Sequence, residues 1–122
     1  ILKTRKVWIE YEPYGVACII SPWNYPLILT MTPLIEALLA GNSVILKSSE
    51  HTPLTTKLLK KIWDDSTNHS DLLQIVYGTG EIGRKLVNSK FTDIICFTGS
   101  TTIGKMIAQD CATIFKPLIL EL

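Results

Sequence analysis

Three observations predict an α/β chain built on a Rossmann-like, doubly wound parallel sheet. Apolar runs of strand length alternate with segments of helical period. Most of these runs are continuously apolar, as expected of strands buried on both faces in a parallel sheet covered by helices. Each run is followed by turn or polar residues, at the strand ends where such sheets bind ligands. At 122 residues the chain amounts to about one domain, able to bury roughly 65% of its unfolded surface. One core fits this length and a two-domain enzyme does not, so the expected sheet is an incomplete one with no catalytic domain beside it.

Taken in order, residues 7–12 (Val-Trp-Ile-Glu-Tyr-Glu) alternate with period two and predict a half-exposed leading strand that enters the turn at Pro13-Tyr14-Gly15. Residues 16–20 form the first continuous strand. After a proline-rich connection, Thr32 and Pro33 predict a helix over residues 32–40, ended by Gly41-Asn42. Residues 43–47 are the second strand, and Thr52-Pro53 opens a helix to about residue 65. The third strand spans 73–77. Gly78 to Gly83 then turns into a short helix carrying Leu86 and Val87. Residues 93–98 form the fourth strand, Ser100 starts a helix to about residue 111, and residues 116–122 form the fifth strand.

Composition excludes several classes. The chain is 47% hydrophobic and 19% charged with a formal net charge of +1, which matches neither disorder nor a basic nucleic-acid footprint. No apolar run reaches the roughly 20 residues needed to span a bilayer, so neither nucleic acid nor membrane is an expected partner. Ile1 to Lys6 has neither the apolar core nor the small-residue cleavage site of a signal peptide. The three cysteines, Cys18, Cys96 and Cys111, are odd in number, widely spaced and set among apolar residues. They read as buried thiols in a reducing compartment, with the cytoplasm as the expected location. His51 and His69 lack ligand-spaced neighbours, and no metal is implied. Lys57, Lys60 and Lys61 with Asp64 and Asp65 read as the solvated face of one helix. Residues 67–71 read as a plain connection.

The polar residues that follow the strands are Ser21-Pro22-Trp23-Asn24, Lys47-Ser48-Ser49-Glu50, Gly78-Thr79-Gly80, Thr98-Gly99-Ser100 and Glu121. The expected topology brings all five groups to one edge. The apolar run ending in Glu121-Leu122 carries an acid at its tip with no turn residue after it. The expectation is therefore a chain cut in mid-site, a fragment of a longer protein.

Five strings in order carry a resemblance: Glu12-Pro13-Tyr14-Gly15-Val16; Ser21-Pro22-Trp23-Asn24-Tyr25-Pro26; residues 40–50, Ala-Gly-Asn-Ser-Val-Ile-Leu-Lys-Ser-Ser-Glu; residues 97–104, Phe-Thr-Gly-Ser-Thr-Thr-Ile-Gly; and Leu120-Glu121-Leu122. Together they resemble the NAD(P)-dependent aldehyde dehydrogenases, over nearly the whole chain. The resemblance implies residues 1–15 as a leading strand and linker and residues 16–122 as an NAD-binding segment. In the complete enzyme it implies oxidation of an aldehyde to a carboxylate through a cysteine thioester, with hydride passed to nicotinamide. An aldehyde substrate and a homo-oligomer are the partners it implies at full length. Two alternatives stand beside it: a catalytically dead nucleotide-binding remnant of a truncated or interrupted gene, and a relative that reduces acyl groups.

Pro22 and Pro26 restrict the backbone around Asn24, whose amide NH2 can donate to an oxyanion without transferring a proton. Read without the resemblance, this asparagine simply satisfies a turn; the resemblance makes it the oxyanion-hole donor and places Trp23 along the cofactor cleft. Lys47 and Glu50 on their own are solvated charges at a helix start. The resemblance makes them donor and acceptor to the adenosine ribose, and a carboxylate there favours NAD over NADP without excluding NADP.

Gly78-Thr79-Gly80-Glu81-Ile82-Gly83 is a literal G-x-G-x-x-G between strand and helix. The acid expected about 20 residues later is missing, and Glu50 upstream takes that part. Gly78 and Gly83 are therefore expected at the adenine end, while Ser100, an N-cap opening the next helix, is expected nearest the phosphates. Ile20, Ser21, Phe97, Gly99 and Ile103 complete the implied cofactor wall. Glu121 matches the general base that activates the hydrolytic water, a task suited to a carboxylate in an apolar setting. The three cysteines fall at core positions, and none inherits the role of nucleophile.

Overall fold

A computed structural model describes residues 5–122; residues 1–4, part of the segment read for a targeting signal, lie outside the described residues. Five parallel strands form one sheet in the order β3-β2-β1-β4-β5. They are β1 (Val16–Ile20), β2 (Ser43–Lys47), β3 (Leu73–Ile75), β4 (Ile94–Thr98) and β5 (Leu118–Glu121). Four helices connect them: α1 (Ile28–Leu39), α2 (Pro53–Ser66), α3 (Gly80–Val87) and α4 (Thr101–Thr113). The strand order reverses between β1 and β4, the crevice where doubly wound sheets take ligands.

The continuous apolar strands are explained by two cores, one on each face of the sheet. Ala17, Ile19, Val44, Leu46 and Leu73 pack under Leu34 of α1 and Leu59 and Trp63 of α2. Cys18, Ile20, Ile95 and Phe97 pack under Val87 of α3 and Ile107 and Cys111 of α4. The register aligns the carboxyl ends: Ile20 lies beside Lys47 and Phe97, and Thr98 beside Glu121. At the opposite edge Asn42 ties α1 to β1, accepting from Gly15 N–H through Oδ1 and donating from Nδ2 to Ala37 O. Gly15 has φ +120°, and Val16 N–H donates to Asp93 Oδ2 at 2.8 Å.

The expected elements recur with four corrections. Residues 7–12 form no strand and are exposed, Val7 and Tyr11 most of all. Alternation describes a surface able to pair, and neither sheet edge offers this segment a partner among the described residues. Helix α1 begins at Ile28, so Pro33 lies inside it and not at its first turn. Tyr25 O accepts from Leu29 N–H and Leu27 O from Met31 N–H, so the helix is already propagating before the proline. β3 ends at Ile75, although Val76 N–H still donates to Leu46 O. Thr52 precedes Pro53 as expected but makes no side-chain cap, and its buried hydroxyl has no partner.

On the α1 side, β5 is poorly covered: Ile119 is 58% exposed. Both outer strands present an edge, and such edges and apolar faces promote association. The apparent molar mass of the purified chain from light scattering is expected to rise with concentration. A monodisperse monomer with a sharp unfolding transition would contradict this.

Candidate functional site

A cleft of about 550 Å³ opens at the carboxyl ends of β1, β2 and β4, between α3 and α4. Ten of the expected residues line it: Ile20, Ser21, Trp23, Lys47, Glu50, Gly83, Phe97, Gly99, Ser100 and Ile103. Gly78 does not. Its φ of +147° and the approach of Ile82 Cγ1, 2.5 Å from where a Cβ would stand, make it a turn glycine with a steric task. Gly83 differs, since a Cβ there would meet Lys47 Cδ at 3.6 Å. That is ordinary van der Waals distance, so α3 lies beside the lysine stem with room for a methyl group.

Lys47 is almost fully buried. Its Nζ donates to Ser48 O at 3.1 Å and lies 3.5 Å from Glu50 Oε2. An ammonium carries three donors, so one remains for a ligand hydroxyl. Glu50 is held below the ordinary carboxylate range, chiefly by a hydrogen bond from its own backbone N–H and further by the Lys47 charge. The pair therefore presents an ionised acceptor beside a directed donor, a combination suited to a vicinal diol.

Ser100 caps α4, its Oγ accepting from Ile103 N–H at 3.4 Å. The first-turn N–H groups beyond it have no intrahelical acceptor and carry the positive end of the helix dipole. Ser21 lines the cleft, but its hydroxyl is shared with Thr30 at 2.7 Å in a buried contact that anchors α1. The glycine turn reaches the cleft through Gly80, Glu81 and Gly83.

Asn24 and Glu121 lie outside this cleft. Asn24 is exposed in the loop before α1 and lines neither cavity. Glu121 borders a second cavity of about 380 Å³ on the α1 side of the sheet, together with Thr32, Glu36, Cys96 and Ile119. It is exposed, unlike the apolar setting expected for it, and its Oε2 accepts from Thr98 Oγ1 at 3.2 Å. Phe97 and Thr98 border both cavities, so the two meet at the end of β4.

Strand ends alone do not reveal the helical walls. Arg84, Val87, Met106, Ile107 and Asp110 also line the cleft. With Gly80, Gly83, Ser100 and Ile103 they recur at helical spacing, a signal present in the sequence. Among the described residues no three His, Cys, Asp or Glu side chains cluster as a metal site would require, and no helix is long and apolar enough to cross a membrane.

Cys18 and Cys111 are buried and Cys96 half-buried. Burial pushes all three thiols up, Cys18 to about 12. Cys18 therefore contributes stability that is fully present below its ordinary value of 9.0 and lost as pH rises through about 12. By the upper limit the loss is about 4 kcal/mol. Alkaline unfolding followed by circular dichroism should shift to higher pH in Cys18→Ala; an unshifted midpoint contradicts the assignment.

Residues 2–122 match the family described as "Aldehyde dehydrogenase family". The chain is 46% identical over 111 residues to a 4,4'-diapolycopene-4,4'-dial dehydrogenase of Cytobacillus firmus, covering 91% of this chain and 24% of that protein. It is 40% identical over 119 residues to a D-glyceraldehyde dehydrogenase (NADP(+)) of Picrophilus torridus, covering 97% and 24%. An NAD-dependent aldehyde dehydrogenase structure from Sinorhizobium meliloti superposes with a TM-score of 0.88 at 33% identity, covering 91% of this chain and 22% of that one. The chain thus spans about a quarter of the length of the curated relatives it matches.

Proposed function

Because the chain belongs to the aldehyde dehydrogenase family, we propose that its main cleft holds a nicotinamide dinucleotide in the oxidation of an aldehyde to a carboxylate. NAD is the first candidate and NADP the second. One observation carries this reading: a single cleft runs from the Lys47–Glu50 pair past the α4 N-terminus to Thr98, whose hydroxyl donates to Glu121 on the far side. The cleft's size falls within the usual range of roughly 300–1,000 Å³ for ligand pockets. Its contents suit the group: a diol-binding ion pair, a helix N-terminus for phosphate, and apolar walls at Ile103, Met106 and Ile107 for a flat ring.

When bound, the cofactor supplies a hydride acceptor. The chain's own residues do the rest. Lys47 and Glu50 fix the ribose, and the α4 N-terminus with Ser100 holds the phosphates. Asn24 donates its amide hydrogen to the oxyanion that forms on the aldehyde carbon. Glu121, with Oε2 occupied by Thr98, keeps Oε1 to take a proton from the hydrolytic water. The reading assigns the thioester-forming thiol to none of Cys18, Cys96 or Cys111, because desolvation keeps each protonated and unreactive. It extends to a homo-oligomeric enzyme at full length. It also extends to a reducing, cytoplasmic setting, supported by three unpaired thiols.

Calorimetric titration of the purified chain with NAD tests it. Saturable binding competed by ADP-ribose is expected, with no NADH formed on adding aldehyde. Absence of binding would remove the cleft assignment, and steady turnover would remove the exclusion of the three thiols.

A further inference from the structure

One wall of the cleft, α3, is held at its carboxyl end by a lysine that comes from the entry to β5. Lys116 is half-buried, and its Nζ donates to Val87 O at 2.7 Å, Ser89 O at 2.6 Å and Thr92 Oγ1 at 2.8 Å. These use all three donors of an ammonium, so the charge is caged between the end of α3 and the segment that enters β4. Thr92 is buried, and its hydroxyl donates onward to Leu86 O at 2.8 Å. A cation at this place also meets the negative end of the α3 dipole. The tie between α3 and α4 is weaker in kind: Arg84 Nε lies 3.1 Å from Asp110 Oδ2, but the arginine side chain is 67% exposed, and exposed pairs hold little.

The backbone bends to seat this lysine. Phe115 has φ +54° and is almost wholly exposed, in the left-handed conformation that glycine or asparagine usually takes after a helix. Lys116 N–H then closes on Cys111 O at 3.0 Å. Such strain persists only where the surroundings over-determine it, and the cage around Lys116 supplies that. From Lys116 the chain runs directly into β5 and on to Glu121, whose Oε2 meets Thr98 Oγ1.

We propose that Lys116 is a positioning residue that joins the cofactor wall α3 and the Glu121-bearing strand β5 into one body, so that filling the cleft and seating Glu121 become one event. This rests on the reading of the cleft as a dinucleotide site. Without the ammonium, α3 and β5 move separately. Only molecules with α3 in place then bind the cofactor, and the apparent affinity falls in proportion to their share.

The test combines calorimetric titration with NAD and amide hydrogen exchange on the purified chain, with β3 as the edge strand outside the clasp. In the wild type, saturating NAD should slow exchange in residues 118–121 about threefold or more beyond its effect in residues 73–75. Lys116→Met should weaken NAD about 5- to 10-fold and leave the two strands slowed equally. Thr92→Val keeps the side-chain shape and removes one acceptor of the cage. It should move both readouts in the same direction, and it decides the matter where Lys116→Met is too unstable to assay. Leu34→Ala, in the opposite core, lowers stability and should move neither readout. The proposal is overturned by wild-type affinity in Lys116→Met, by extra protection of β5 that is absent from the wild type or survives in that variant, or by the same changes in Leu34→Ala. A wild type that binds no NAD overturns the cleft assignment itself, and the proposal with it.

Discussion

Lys47→Met should lower affinity for NAD by about 10- to 100-fold while leaving the fold intact. The methionine keeps most of the stem that packs against Gly83 and removes only the ammonium. A hydrogen bond to a charged group is worth about 1.5–3 kcal/mol, which sets the size of the loss. The intramolecular consequence is smaller. The remaining partner, Glu50, is 44% exposed and can be hydrated, so breaking the ion pair costs under about 1 kcal/mol of stability. Calorimetry and urea unfolding on the same preparation separate the two effects. A variant that loses stability while keeping its affinity would make Lys47 a core residue and nothing more.

Leu46→Ala should cost about 3 kcal/mol of stability, a large part of the roughly 5–15 kcal/mol that holds a domain of this size. Leu46 is fully buried in β2, in the core that α1 and α2 cover. A cavity opened between two packed layers has little scope to collapse. Ile119→Ala is the matched control. It removes the same three carbons from an outer strand, yet Ile119 is mostly exposed, and its loss should stay under about 1 kcal/mol. Comparable urea midpoints for the two variants would show that the uncovered face of β5 is packed in solution.

The strands were legible because burial on both faces writes itself into continuous apolar runs, and β1 and β2 begin and end where those runs do. Residues 7–12 misled because alternation specifies a face and says nothing of a neighbour to pair with. The start of α1 misled because Pro33 carries the mark of a first turn, whereas the apolar residues 27–29 had already entered the helix without any polar cap. The strand-end residues of the cleft were legible from topology alone, since one rule gathers them. The opposing walls were less so. Which face of α3 meets which face of α4 depends on packing, and the Arg84–Asp110 contact joins residues 26 apart with no local signature. Gly78 looked like a ligand contact because the motif counts glycines without asking what each one is for.

The strand order also sets a timetable for synthesis. β1 occupies the centre of the sheet but is made first, and its flank toward β4 waits for residues some 77 positions downstream, the separation between Val16 and Asp93. At about 5–20 residues per second that wait is about 4–15 s. No hairpin can close early, because every pairing in the sheet is parallel and needs a crossover. A nascent chain therefore shows ribosome-associated factors an unpaired apolar edge for seconds, and its dependence on chaperones is written into the order of its strands.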